Sequence, residues 1–306
     1  MKNSKKYFIL GGVIFSILIV ATFFDLQISF LLADLSPGEI ITSNLFAIIF
    51  EIIGEGALYF FLAFAFAVIF WWLKFNIKNN LKYFYQVVIS ILIFLTFFIF
   101  INKATIYLSN YMTIEFNYYF LIFSISVAII LTILSILSLK FFKQKQINVL
   151  IKFAFVIICV VFVSNLITQI SKTFVFGRIR FKAMNYLEDF SFYTPWFFLN
   201  GTGLFENLQQ AGLTADMFKS FPSGHVTATA ITFTLICLPC LFKKFKSKFW
   251  KIFCWATPVV LILIVGLARI IAGAHFLSDV LMAGLVTLLV TLFFKHRFID
   301  KENKTK

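Results

Sequence analysis

Pro222-Ser223-Gly224-His225 stands directly before an apolar run, in a chain with only three histidines. Fifty residues on, "LARIIAGAHFLSDV" supplies Arg269, His275 and Asp279. Upstream, Lys172 is followed by Gly177-Arg178-Ile179-Arg180. His275 and Asp279 are four apart, hence on one helical face, where the carboxylate can hold one imidazole nitrogen and raise the basicity of the other. Lys and Arg without a nearby excess of carboxylates suit a dianion, most naturally phosphate. Pro-Ser-Gly is a good helix start. Ser223 can cap, Gly224 lets backbone approach a ligand closely, and the first-turn N–H groups and helix dipole favour an anion. An oriented imidazole facing phosphate is a nucleophile, and His225 opposite it can protonate the leaving oxygen.

The elements that must position these residues are membrane spans. Of 306 residues, 61% are hydrophobic and 13% charged, with a mean hydropathy of +0.97. A soluble domain is rarely so apolar, so lipid replaces much of the protein core. Apolar runs fall at 7–24, 57–73, 83–101, 118–139, 153–170, 226–242, 252–272 and 276–294. A span needs roughly 20 apolar residues, which predicts an all-α integral membrane protein of about eight transmembrane helices. The first run follows MKNSKK but lacks a small-residue cleavage site, so it reads as a retained span.

Charge predicts orientation. Twenty of the 27 Lys and Arg residues fall on one side: before span 1, between spans 2 and 3, 4 and 5, and 6 and 7, and after span 8. The positive-inside rule makes that side cytoplasmic, with both termini there. Asp25, Asp34, Glu39, Glu115, Glu188, Asp189, Glu206 and Asp216 then lie outside. The net charge of +14 is mainly topology, and nucleic-acid binding is not expected. Lys103, Lys172, Arg178, Arg180, Lys182, Lys219 and Arg269 break the rule, and ionisable groups this near the hydrocarbon are usually functional.

Other features read more plainly. Cys237-Leu238-Pro239-Cys240 has no second pair or histidine beside it and reads as helix packing; the proposed outer loops hold no cysteine, so no disulfide framework is expected there. Ser164, Thr168 and Lys172, with Asn165 and Gln169, form a polar stripe that either climbs towards the site or bonds between helices. Glu51 and Glu55 share a predicted helix face, as cavity lining or as an interfacial helix start. His296 reads as solvated.

The constellation resembles the type-2 phosphatidic acid phosphatase (lipid phosphate phosphatase) family, related to vanadium-dependent haloperoxidases. Its motifs are K-x6-R-P, P-S-G-H and S-R-x5-H-x3-D. The second is complete at 222–225, and Arg269, His275 and Asp279 complete R-x5-H-x3-D. Phe181 replaces the first motif's proline, Ala268 the third motif's serine, and Lys172 precedes Arg180 by eight positions rather than seven. The resemblance covers about 150–294.

That resemblance implies attack by His275 on phosphorus, orientation by Asp279, and His225 as general acid. Lys172, Arg180, Ser223, Gly224 and Arg269 would bind phosphate oxygens, with Arg178 the alternative to Arg180. It implies no metal or other cofactor. The expected architecture is a six-helix phosphatase core with two extra N-terminal spans, and the expected division sets N-terminal spans in 1–110 apart from a catalytic core in 111–306. The expected activity is hydrolysis of a lipid phosphomonoester or pyrophosphate at the extracytoplasmic face of the cell membrane. The alternatives are lipid-to-lipid phosphotransfer and an anion or lipid transporter with a cationic patch. The identity of the lipid and the oligomeric state stay open.

Overall fold

The computed structural model describes residues 2–112, 117–198 and 200–301. Glu115, Lys304 and Lys306, which entered the charge sorting, lie outside the described residues. The chain is all-α: among the described residues there is no strand, only one isolated bridge between Arg178 and Lys219. The helices are α1 (Lys2–Leu32), α2 (Leu45–Gly54), α3 (Gly56–Asn76), α4 (Leu81–Met112), α5 (Tyr118–Ser138), α6 (Gln144–Phe174), α7 (Phe181–Leu187), α8 (Gly203–Leu208), α9 (Gly224–Ala230), α10 (Leu238–Leu241), α11 (Lys248–Ile271) and α12 (Leu277–Lys295).

Among the described residues, seven segments are long and apolar enough to cross a membrane: Leu45–Asn76, Leu81–Met112, Tyr118–Ser138, Gln144–Phe174, Gly224–Leu241, Lys248–Ile271 and Leu277–Asp300. A shorter apolar stretch, Ser16–Leu32, occupies the C-terminal half of α1. This is a multi-pass membrane protein. Its helices are apolar outward as well as inward: Ile122, Phe123, Ile129, Ile130, Ile133 and Leu134 of α5 are all exposed, a surface that only lipid can satisfy.

The chain forms two compact units. One comprises Met1–Glu51, Asn165–Thr227 and Ile262–Val286; the other comprises Ile52–Ser164, Ala228–Leu261 and Thr287–Lys306. In the second, α3, α4 and α5 are joined by short connections and pack about Ala63, Ala67, Trp71, Ile93, Phe97 and Ala128, all buried. Small residues on α3 let neighbouring helices approach closely: a Cβ on Gly56 would lie 3.1 Å from the Phe100 ring. The Trp71 indole N–H donates to the Ile136 carbonyl at 2.8 Å. Lys103 pairs with Glu55 at 2.9 Å.

Gly224–Leu241 is not a uniform helix. After α9 it tightens into a 3₁₀ stretch, Ile231–Cys237, before α10. The threonines explain the pitch. The Thr232 hydroxyl donates to the Thr229 carbonyl at 2.7 Å and that of Thr234 to Ile231 at 2.8 Å, both three residues back. Hydroxyls in an apolar interior must find partners, and bonding the preceding turn competes with the regular ladder. β-branched Thr and Ile add to the effect by crowding a helix interior.

Candidate active site

Every residue singled out for phosphate chemistry lies in the first unit. Lys172 sits in the last turn of α6, which ends at Phe174. Gly177 then takes φ +96°, and a Cβ there would lie 2.5 Å from the Gly201 carbonyl oxygen and 2.6 Å from Asn200 Cβ. Only glycine fits that turn. Residues 177–180 next run beside 217–220. The N–H of Gly177 donates to Phe218 at 2.9 Å, that of Arg180 to Met217 at 2.9 Å, and that of Ser220 to Arg178 at 3.2 Å. The helix has therefore unwound before either arginine. An eight-residue spacing would set Lys172 and Arg180 about 80° apart on one helix, but here the spacing crosses a turn.

The two arginines part company. Arg180 is nearly buried, and its Nη2 pairs with Asp216 at 2.8 Å. Arg178 is fully buried and turned to the opposite task. Its Nη1 donates to Asp279 Oδ1 and, at 3.2 Å, to the Ser278 hydroxyl. Its Nη2 donates to Asp25 Oδ2 at 2.9 Å and its Nε to the Thr194 carbonyl at 3.0 Å. The guanidinium lies 4.5 Å from the Phe276 ring centre. With no exposed edge, it anchors Asp279 instead of presenting itself to a phosphate.

α11 ends in a Schellman motif. Gly273, at φ +60°, donates to the Ile270 carbonyl, and Ala274 donates to that of Arg269. A Cβ on Gly273 would meet Leu35 Cδ1 at 2.6 Å and Lys182 N at 3.1 Å, and the Lys182 N–H donates to the Gly273 carbonyl at 2.8 Å. The turn leaves Arg269 on α11 and sets His275 two residues before α12. His275 is almost wholly buried. Its Nδ1 lies 2.7 Å from the Ser220 carbonyl oxygen and 3.6 Å from Asp279 Oδ2. A carbonyl only accepts, so Nδ1 carries the proton and Nε2 keeps its lone pair. Asp279 Oδ2 accepts from the Ser220 hydroxyl at 2.6 Å and the Phe276 N–H at 2.8 Å. The carboxylate thus holds the imidazole largely through Ser220, with a longer contact of its own at 3.6 Å.

Ser223, fully buried, caps α9: its hydroxyl accepts the Val226 N–H at 3.4 Å and its carbonyl the Thr227 N–H at 3.0 Å. Its own N–H is taken by the Asp279 carbonyl at 3.2 Å. Lys172 Nζ lies 3.9 Å from where a Cβ on Gly224 would sit, so the ammonium stands over the helix start. His225, buried, is the second residue of α9. Arg269 is buried and its Nη1 pairs with Glu51 at 2.7 Å.

The electrostatics are those of a buried cluster of charges. Burial pulls the His275 imidazole down to about 4, against the opposing pull of Asp279, so it is neutral at pH 7. Burial works against the Asp216 carboxylate, but Arg180, Lys172 and His275 hold it below the usual range.

Residues 153–302 match the family model of the PAP2 superfamily. The chain belongs to that superfamily. A search of curated proteins and a search of solved structures found no match. PAP2 membership supports phosphatase activity on phosphorylated substrates.

Three residues of this PAP2 protein's site have partners or surroundings that the sequence does not announce. Asp25, assigned to the outer surface, is fully buried inside α1 and bound to Arg178. Glu51 shares no helix with Glu55, because α2 ends at Gly54; it partners Arg269 instead. Lys182 stands in the sequence only as one of seven cations that break the positive-inside rule. Burial, then the guanidiniums of Arg180 and Arg269, lower its ammonium to about 8, placing it among the site's cations. Only the oddity of carboxylates near hydrocarbon could have flagged the first two. Thr168, from the polar stripe, meets the Thr227 hydroxyl at 2.9 Å.

Proposed function

We propose that the protein is a metal-independent lipid phosphatase, acting on a phosphomonoester or pyrophosphate at the extracytoplasmic leaflet of the cell membrane through a phosphohistidine. The observation that carries this reading is His275. Its Nδ1–H is held by the Ser220 carbonyl, its Nε2 lone pair is available, and the positive charges of Arg180 and Arg269 act on it. Nε2 attacks phosphorus, the phosphorus–oxygen bond to the lipid breaks, and the departing oxygen takes the proton of His225. Water then attacks the phosphohistidine and gives a proton back to His225, the phosphorus–nitrogen bond breaks with its electron pair returning to Nε2, and inorganic phosphate leaves. Lys172, Arg180 and Arg269, with Ser223 and Gly224, bind the phosphate oxygens and supply the positive charge that a metal supplies in other phosphatases. Arg178 holds Asp279. Catalytic work falls to 111–306, and the spans of 1–110 are additions to it.

The test is phosphate release by the purified protein from phosphatidic acid, phosphatidylglycerophosphate, undecaprenyl pyrophosphate and lipid A. Release from at least one is expected, insensitive to chelators, and His275→Ala abolishes it. Brief reaction with labelled substrate traps an acid-labile, base-stable phosphoprotein in the wild type and not in His275→Ala. No release from any of the four counts against the phosphatase. Transfer of label to an acceptor lipid with little free phosphate assigns the site to phosphotransfer instead.

A further inference from the structure

Helix α1 carries a carboxylate to the buried side of the site that the proposed chemistry does not use. Asp25 is fully buried, and both its oxygens are occupied. Oδ1 accepts the backbone N–H of Ser278 at 2.9 Å. Oδ2 accepts Nη2 of Arg178 at 2.9 Å and the hydroxyl of Ser278. Ser278 precedes Asp279 in the first turn of α12, so Asp25 grips that turn from another helix. A continuous chain of contacts results. Asp25 binds Arg178, Arg178 binds Asp279, Asp279 accepts the Ser220 hydroxyl, and the Ser220 carbonyl accepts His275 Nδ1–H.

The count of charges makes the second carboxylate informative. One carboxylate would neutralise Arg178, and the Arg178–Asp279 pair alone would fix Asp279 in place. That pair would also be neutral and would offer His275 little. The imidazole gains positive charge as Nε2 bonds to phosphorus, and the nearest group to balance it is Asp279, 3.6 Å from Nδ1. Two carboxylates share one guanidinium, and with Asp25 ionised the buried cluster would keep one net negative charge beside the imidazole. Arg180 and Arg269, which disfavour a cationic His275, make that charge more necessary.

We propose that Asp25 is a positioning residue for the phosphoryl-transfer step: by sharing Arg178 and gripping the first turn of α12, it keeps Asp279 oriented and negatively charged towards His275. The proposal rests on the phosphatase reading above. It makes α1 part of the catalytic apparatus through a residue that touches no substrate.

The experiment uses the full-length protein in detergent micelles with dioctanoyl phosphatidic acid, measuring kcat and KM separately. Asp25→Asn keeps the shape of the side chain and an acceptor for the Ser278 N–H, but removes the charge. It lowers kcat on the order of 100-fold, the scale of a small misplacement at a reacting centre, and leaves KM within about twofold because Lys172, Arg180 and Arg269 are untouched. Asp25→Asn combined with Arg178→Gln removes both charges, returns the net negative charge to Asp279, and recovers kcat above the single variant. A merely structural pin predicts the reverse, a double variant worse than either. Retained kcat in Asp25→Asn, a rise in KM at steady kcat, or no recovery in the double variant overturns the proposal. If Asp25→Asn does not accumulate folded, Ser278→Ala takes its place: kcat falls with KM unchanged, and an unchanged kcat overturns it. A wild type that releases no phosphate from this lipid or the panel above removes the phosphatase reading and this inference with it. An active wild type with an indifferent Asp25→Asn removes the inference alone.

Discussion

At the residue scale, two titrations bracket the activity. In the proposed mechanism His275 attacks as the neutral imidazole, and burial sets its pKa at about 4. As pH falls through that value Nε2 gains a proton, so kcat/KM declines on the acid side with a midpoint near 4, not near an ordinary histidine's 6.5. Lys182 must be charged to help hold a dianion, and burial with Arg180 and Arg269 brings it to about 8. As pH rises through about 8 the site loses a positive charge, and KM rises while kcat changes less. Lys182→Met carries the same loss at every pH: KM should rise roughly tenfold, the worth of one charge-assisted hydrogen bond, and the basic limb near 8 should weaken. A pH series on wild type and Lys182→Met checks both. Arg178→Met should behave differently. It leaves Asp25 and Asp279 buried without their cation, which costs about 3–5 kcal/mol, so it should show first as a lower Tm, whereas Arg180→Met should raise KM in a protein that still folds.

At the element scale, two turns place the chemistry. The turn at Gly177 releases the chain from α6 so that Arg178 and Arg180 leave in an extended segment, one to Asp279 and one to Asp216. The turn at Gly273 ends α11 and presents His275. Gly273→Ala forces a β-carbon into Leu35 and the Lys182 backbone at a positive φ. The strain should cost about 1–3 kcal/mol, seen as a lower Tm and a loss of kcat, because His275 hangs from that turn. Gly212→Ala is the control: its φ of +80° is also left-handed, but nothing lies within 4 Å of an added Cβ and no catalytic group hangs from it, so it should lose less stability and keep kcat. The 3₁₀ stretch below His225 has a milder test. Thr232→Val deletes the hydroxyl that bonds three residues back and should relax the pitch towards an α-helix, at a cost near 1 kcal/mol in thermal unfolding.

At the scale of the whole molecule, the span count and charge sorting make one prediction. A cysteine or tag in 183–215, outside the spans, should be labelled in intact cells by a reagent that cannot cross the membrane. Labelling only after the membrane is opened would put the site on the cytoplasmic side. α1 is the other molecular-scale matter. By composition it is a membrane anchor, with Ser16–Leu32 as its described apolar stretch. By its contacts it is a structural neighbour of the site: Asp25 grips Ser278 and Arg178, and Thr22 accepts the Trp196 indole N–H at 3.0 Å. Removing it should therefore cost more than membrane attachment.

The amino-acid sequence carried the class of the molecule and the candidates for the reacting groups. Helical apolar runs were legible because lipid imposes length and composition on every span. His225, Arg269, His275 and Asp279 stood out by the PSGH and R-x5-H-x3-D patterns, but not for a shared helical face: His275 stands two residues before α12, and the turn at Gly273 sets it near Asp279. Tertiary structure decided what spacing could not reach. Whether Arg178 or Arg180 faces the phosphate side depends on a turn at Gly177 and on Asp25, which lies 153 residues away in the chain. The partner of His275 Nδ1 is a backbone carbonyl, and every residue type carries one, so no side-chain pattern could announce it. Asp25 and Glu51 looked like boundary acids because burial turns a carboxylate from a solvated marker into a fixed counter-charge, and burial is a property of the fold.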